Sequence, residues 1–92
     1  MNRVAVILTD ATKRILWVNQ DFEVVTGYSI GEVIGRHPGR ILQGPRTEPD
    51  AIQRIREGFA SGESFKEAIT NHRKNGEAYV CTLVIHPIHD AD

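Results

Sequence analysis

Between Gly35 and Pro45, three glycines and two prolines fall within eleven residues. That density argues against a regular helix or strand through the segment, because glycine loosens the backbone and proline removes a donor and fixes φ. Ile41 and Leu42 nonetheless lie inside it, surrounded by Arg36, Arg40 and Gln43. We therefore expect a shaped loop with converging polar groups, where binding sites tend to be built. The rest of the chain is the scaffold that holds it.

That scaffold begins with Val4 to Leu8, a continuous apolar run that reads as a strand covered on both faces. Thr9 to Arg14 supplies a turn and Ile15 to Val18 a second strand, so the two predict a hairpin. Asn19 is a plausible N-cap for a helix from Gln20 to Thr26, with Phe22 and Val25 or Val24 turned inward, ended by Gly27. Ser29 to Glu32 fits a capping box, opening a short helix that Gly35 stops. Beyond the loop, Thr47 can cap the longest helix, with Pro49 in its first turn, Ile52, Ile55 and Phe59 on one face, and Gly62 at its end. Phe65 to Asn71 and Glu77 to Pro87 then read as strands of a second hairpin. A three-residue loop, Lys74 to Gly76 with Gly76 left-handed, sets Asn71 opposite Tyr79, and puts Asn71, Tyr79 and Cys81 on one face. Hairpins at both ends with helices between them imply an α+β fold, an antiparallel sheet covered on one face.

The 92 residues suffice for one domain, here taken as residues 1–92. A formal net charge of −1 gives no electrostatic case for nucleic acid or an anionic membrane. The strongly apolar runs are far too short for a bilayer span, so no membrane insertion is expected. No secretory signal opens the chain, and the single cysteine, Cys81, excludes an internal disulfide and fits a reducing cytoplasm. The close of the chain at Asp90-Ala91-Asp92, just after a strand run, reads as a module cut from something longer.

The series Val6-Ile7-Leu8-Thr9-Asp10, Ile15 to Phe22 and Thr26-Gly27-Tyr28-Ser29, with Asn71 to Glu77 later, resembles a PAS sensory domain over nearly the whole chain. The resemblance implies a five-stranded antiparallel sheet with helices enclosing a ligand-sized cavity on one face. Four strands are visible here, and the fifth would lie beyond Asp92 or be absent. Gly35 to Thr47 is most similar to the light-oxygen-voltage subfamily, whose flavin loop reads G-x-N-C-R-F-L-Q-G. Anchored on Arg40-Ile41-Leu42-Gln43-Gly44, the chain has Gly39 in place of the photoreactive cysteine and Pro38 in place of the asparagine. A thiol is needed for a flavin–cysteine bond, so the resemblance implies non-covalent binding only, of FMN or FAD.

Several positions carry over residue by residue. Arg40 and Arg56 match the arginines that meet the flavin phosphate, Gln43 the glutamine near the ribityl chain, and Asn71 an asparagine on the isoalloxazine edge. The second edge asparagine falls at Cys81, a poorer partner. Glu67 falls where a pocket-facing apolar residue is usual, and an unpaired carboxylate there would be costly. Read without the resemblance, Arg40 and Arg56 are equally solvated surface arginines, Gln43 a residue satisfying loop backbone, and Asn71 a strand-end residue bonding the turn.

Other candidates carry less chemistry. His37, His72, His86 and His89 lack metal-ligand spacing, although His86 and His89 could chelate weakly across Pro87. Trp17 packs in or beside the core, or else lies in a dimer or flanking-helix contact. Cys81 reads as an inert buried thiol. Asp10, Asp21, Glu23 and Asp50 fall at turns and helix starts, and no catalytic motif is present. The chain is thus expected to be a non-catalytic regulatory module of a sensor kinase or cyclic-dinucleotide enzyme. It would relay the state of a ligand or partner by a small shift and through homodimer contacts. The alternative is a flavin-binding redox sensor that forms no bond to its cofactor.

Overall fold

In the computed structural model, residues 3–87 are described. The chain runs β1 (Ile7–Thr9), β2 (Ile15–Val18), α1 (Gln20–Thr26), α2 (Ile30–Val33), α3 (Pro38–Leu42), α4 (Pro49–Ser61), β3 (Phe65–His72) and β4 (Ala78–Ile85). The α+β order and antiparallel pairing are those expected. The described strands form two separate two-stranded sheets, β1 with β2 and β3 with β4. The anticipated fifth strand and His89 lie outside the described residues.

Asn19 organises the start of the molecule. Its Oδ1 accepts from the backbone of Phe22 at 2.9 Å, capping α1, and from Val6 at 2.8 Å, while its Nδ2 donates to the Val4 carbonyl. One side chain therefore caps a helix and clamps the approach to β1. The first strand starts at Ile7, later than expected; before it, the Val6 carbonyl also accepts from the Asn19 backbone N–H at 3.1 Å. Nor is the run covered on both faces: Val4, Val6 and Leu8 are exposed. Trp17, in register with Leu8, is 46% exposed and so does not lie inside the core, which leaves its expected alternative as an outer contact residue. A register shift in the hairpin explains Trp17: Ile7 lies opposite Val18 and Thr9 opposite Ile15, with Leu16 unpaired between, so Ile15 and Val18 both turn inward and Leu8 and Trp17 outward.

Those two residues join Phe22, Val33, Ile41 and Leu42 in one core, with Ile7, Tyr28 and Ile30 packed against it. The segment after α2 supports it. Gly35, at φ 79°, lets the chain turn so that its N–H donates to Ile15 O (2.8 Å), and Ile15 N–H donates to Arg36 O (2.9 Å). The proline-and-glycine stretch then departs from expectation by forming a helix. Pro38 stands at its first position, where no N–H is needed, and Ile41 and Leu42 are buried by the single turn that follows.

The helix α4 also starts differently. Its N-cap is Glu48, not Thr47, and Glu48 makes no side-chain cap. Both side chains are used elsewhere. The Thr47 hydroxyl donates to Thr70 O (2.7 Å) and accepts from Gly44 N–H (2.9 Å). The Glu48 carboxylate takes the Thr70 N–H and hydroxyl, both at 2.8 Å. These contacts satisfy the outer edge of β3, which no neighbouring strand pairs among the described residues. At the far end, Gly58 lies so close to Phe65 that a Cβ there would stand 2.6 Å from the ring.

Candidate functional site

The register of the second hairpin decides which side chains share a face. Asn71 pairs with Tyr79 and Ile69 with Cys81, as a left-handed Gly76 requires; its φ is 91°. Alternation then puts Phe65, Glu67, Ile69 and Asn71 on one side of β3, with Tyr79, Cys81, Leu83 and Ile85 opposite them. Phe65 meets α4 at Phe59 in an edge-to-face contact of 5.4 Å, so this is the side that α4 covers. The turn is pinned on the other helices: Lys74 N–H donates to Thr26 O at 2.8 Å, Arg73 donates to Val25 O, and the Lys74 ammonium pairs with Glu32.

On this inner face Asn71 is 5% exposed. Its amide Nδ2 donates to Cys81 Sγ at 3.3 Å, a diagonal contact across the ladder. Sulfur is a weak acceptor, so a buried amide donor is held by a partner that a stronger acceptor can replace. Burial raises the Cys81 pKa more than the Asn71 bond lowers it, which keeps the thiol protonated at neutral pH. Burial, helped by Cys81, likewise pushes the Tyr79 phenol up, with Arg73 opposing it; that guanidinium lies over the ring at 4.4 Å.

Of the five sequence-derived site residues, the fold brings Asn71 and Cys81 into contact. Gln43 stands at the end of α3 with its amide folded back on Gly39: a Cβ at Gly39 would lie 3.1 Å from Gln43 Nε2. A side chain at position 39 would thus require the Gln43 amide to give by a few tenths of an ångström. Arg40 on α3 and Arg56 on α4 are exposed, and neither forms an ion pair among the described residues. Two open depressions lie on the surface, of about 370 and 330 Å³. They are lined by residues 24–27 with 73–75, and by Arg46, Thr70 and residues 78–80. Neither includes any of these five residues, so the depressions do not mark the site.

Sequence reasoning flagged Glu67 but missed its partner. Arg54 Nε reaches Glu67 Oε1 at 2.7 Å from α4, and the carboxylate holds the Arg54 proton more tightly than usual. The available signal was spacing: Arg54 lies on the α4 turn that faces the middle of β3, but nothing in the sequence told it from Arg56.

Helices laid over one side of an antiparallel hairpin, with a buried amide facing inward, define an α+β module. The profile of the PAS domain family matches residues 3–92, and the chain belongs to that family: it is a sensory domain of signal transduction, not itself a catalytic unit. Blue-light-activated histidine kinase 2 of Erythrobacter litoralis (strain HTCC2594) is 38% identical over 78 residues, 85% of this chain but 22% of that protein. Phototropin-2 of Oryza sativa subsp. japonica is 37% identical over 87 residues, 91% of the chain and 10% of the relative. The chain thus spans about a fifth or less of the length of these relatives. Among solved structures, the light state of the blue-light photoreceptor Aureochrome1 LOV superposes with a TM-score of 0.87 at 28% identity, covering 92% of this chain and 68% of that one. No described helix is long and apolar enough to cross a membrane.

Proposed function

We propose that this chain is the sensory PAS domain of a larger signalling protein and holds a flavin non-covalently against the α4-facing side of its second hairpin. The observation that supports this most is Asn71: a buried amide on the inner face whose Nδ2 donates to a thiol sulfur. Asn71 would hydrogen-bond the polar edge of the ring, with Cys81 beside it as a weak neighbour. Gln43 would turn from Gly39 toward the ribityl chain. Arg40 and Arg56, which spend no charge on carboxylates within the described residues, would hold the phosphate of FMN or FAD by paired donors. Flavin supplies visible absorption and a redox couple when bound. Gly39 offers no nucleophile, so the chain's own residues bind and orient without forming a bond to the ring.

The signal would leave as a population shift in how the hairpin turn sits on α1 and α2, through the Lys74–Glu32 and Arg73–Val25 contacts. An adjoining output domain, such as a histidine kinase, a cytoplasmic location and a homodimer belong to the same reading. The similarity to blue-light-activated kinases supports it.

An absorption spectrum of freshly purified protein, with the released ligand identified, tests the flavin reading. Bands in the blue with FMN or FAD released are expected, and Asn71→Ala and Arg56→Ala should each lower occupancy. A colourless protein that cannot be loaded with either flavin ends the reading. Unchanged occupancy in both variants refutes the residue roles. A second reading, a ligand-free dimerisation module, draws on the exposed Leu8, Trp17, Val80 and Val84. Sedimentation of a colourless protein as a dimer would favour it.

A further inference from the structure

Glu67 is out of keeping with the wall it belongs to. It lies in register with Leu83 and between Phe65 and Ile69 on the face that α4 covers. Three apolar side chains therefore frame a carboxylate that is 18% exposed. Drawing a carboxylate that far from water is costly unless it is paired. Arg54 pairs with it at 2.7 Å while keeping its own side chain 52% exposed, so the pair has one end in the wall and the other in solvent. Asn71 stands four residues along the same face, about 13 Å away at ordinary strand rise. The inner face is thus polar at both ends of that span, with Ile69 between them.

A planar ligand laid along the face meets an amide at Asn71 and a fixed acceptor at Glu67. Isoalloxazine has hydrogen-bonding groups at one end and methyl groups at the other, and methyl groups cannot satisfy a carboxylate. We propose that the Glu67–Arg54 pair is a specificity determinant of the inner face. It lowers affinity for a ring that is apolar at the Glu67 end and favours one that carries a hydrogen-bond donor there. Arg54 keeps the penalty moderate by holding the carboxylate, so removing Arg54 raises the demand for a donor. The inference rests on the flavin reading for its probe, FMN.

The test is FMN titration by fluorescence on the purified protein and on Glu67→Leu, Glu67→Gln and Arg54→Met, each checked for a cooperative melt. Glu67→Leu is expected to tighten FMN about tenfold, Glu67→Gln about threefold, and Arg54→Met to weaken it about fivefold. If Glu67→Leu fails to melt cooperatively, Glu67→Gln, which keeps the shape, decides. FMN bound by all four proteins with affinities within about twofold overturns the determinant and leaves the flavin reading standing. Weaker binding by the Glu67 variants overturns it likewise. Binding that appears only when Glu67 is replaced upholds the determinant and removes flavin as the parent chain's ligand. No binding by any of the folded proteins overturns both.

Discussion

Residues 7–42 bury six apolar side chains against one another, from Ile15 to Leu42. Across α4, β3 and β4, the fully buried apolar residues are only Ala51 and Ile69, and they are accompanied by buried Thr70 and Asn71. The expected apolar face of α4 is correspondingly open: Ile52 and Ile55 are half-buried and Phe59 is 38% exposed. What holds the second half is a set of side-chain hydrogen bonds to strand backbone, from Thr47 and Glu48, with the ion pairs Arg54–Glu67 and Arg73–Glu77. A two-stranded hairpin is marginal alone. The contrast suggests a division of labour in which the first half supplies stability and the second remains adjustable. An element meant to change its packing is better held by a few directional bonds than by a close-packed core.

Substitutions that weigh one half against the other can break this picture. The largest effect is expected at Phe22, 1% exposed in the centre of the first half. Phe22→Ala should lose about 3–5 kcal/mol in urea denaturation. A loss no larger than those below would put the stabilising core elsewhere. Gly58→Ala drives a methyl into the Phe65 ring. Overpacking costs about 1–3 kcal/mol, offset by about 1 kcal/mol of helix propensity. Hydrogen exchange should then quicken in β3 and β4 while the amides of β2 and α1 stay protected. Thr47→Val removes two hydrogen bonds at the edge of β3 and should cost about 1–2 kcal/mol, again confined to the second half.

The smallest effect concerns the clamp between the halves. The Lys74 ammonium, first of all, and the Ser29 backbone hold Glu32 down to about 2 from the ordinary 4.5. A carboxyl depressed on folding adds stability that is fully present above its unfolded value and is lost as pH falls toward its folded one. Acid titration from pH 4.5 down to about 2 should therefore loosen the hairpin turn in the parent chain. Glu32→Gln should remove that part of the pH dependence. Both groups are solvent-facing, so added salt should shrink the effect.

Local chemistry was legible wherever a rule spanning a few residues decided it. Asn19 at its cap, the left-handed Gly27 and Gly62, and Gly76 setting the register of Asn71 all follow from short-range rules. The misses arise where a residue had two possible employers. Thr47 caps well, but Thr70 on a strand 23 residues away claims its hydroxyl. Pro38 and Gly39 discourage a helix, but burial of Ile41 and Leu42 repays one short turn. Trp17 is apolar enough for any core, yet the register shift in the first hairpin gives the inward places to Ile15 and Val18. Arg54 and Arg56 are indistinguishable in composition, and only the placement of α4 against β3 separates the one that meets Glu67.

The close approach of Gln43 to Gly39 also constrains how such a chain can change by mutation. A thiol introduced at position 39 alone would arrive with its Cβ 3.1 Å from the glutamine amide, so one of the two groups must yield. The amide is the far end of a flexible side chain, so a shift of a few tenths of an ångström would accommodate the new Cβ. The identity of residue 39 is thereby coupled to the rotamer of Gln43.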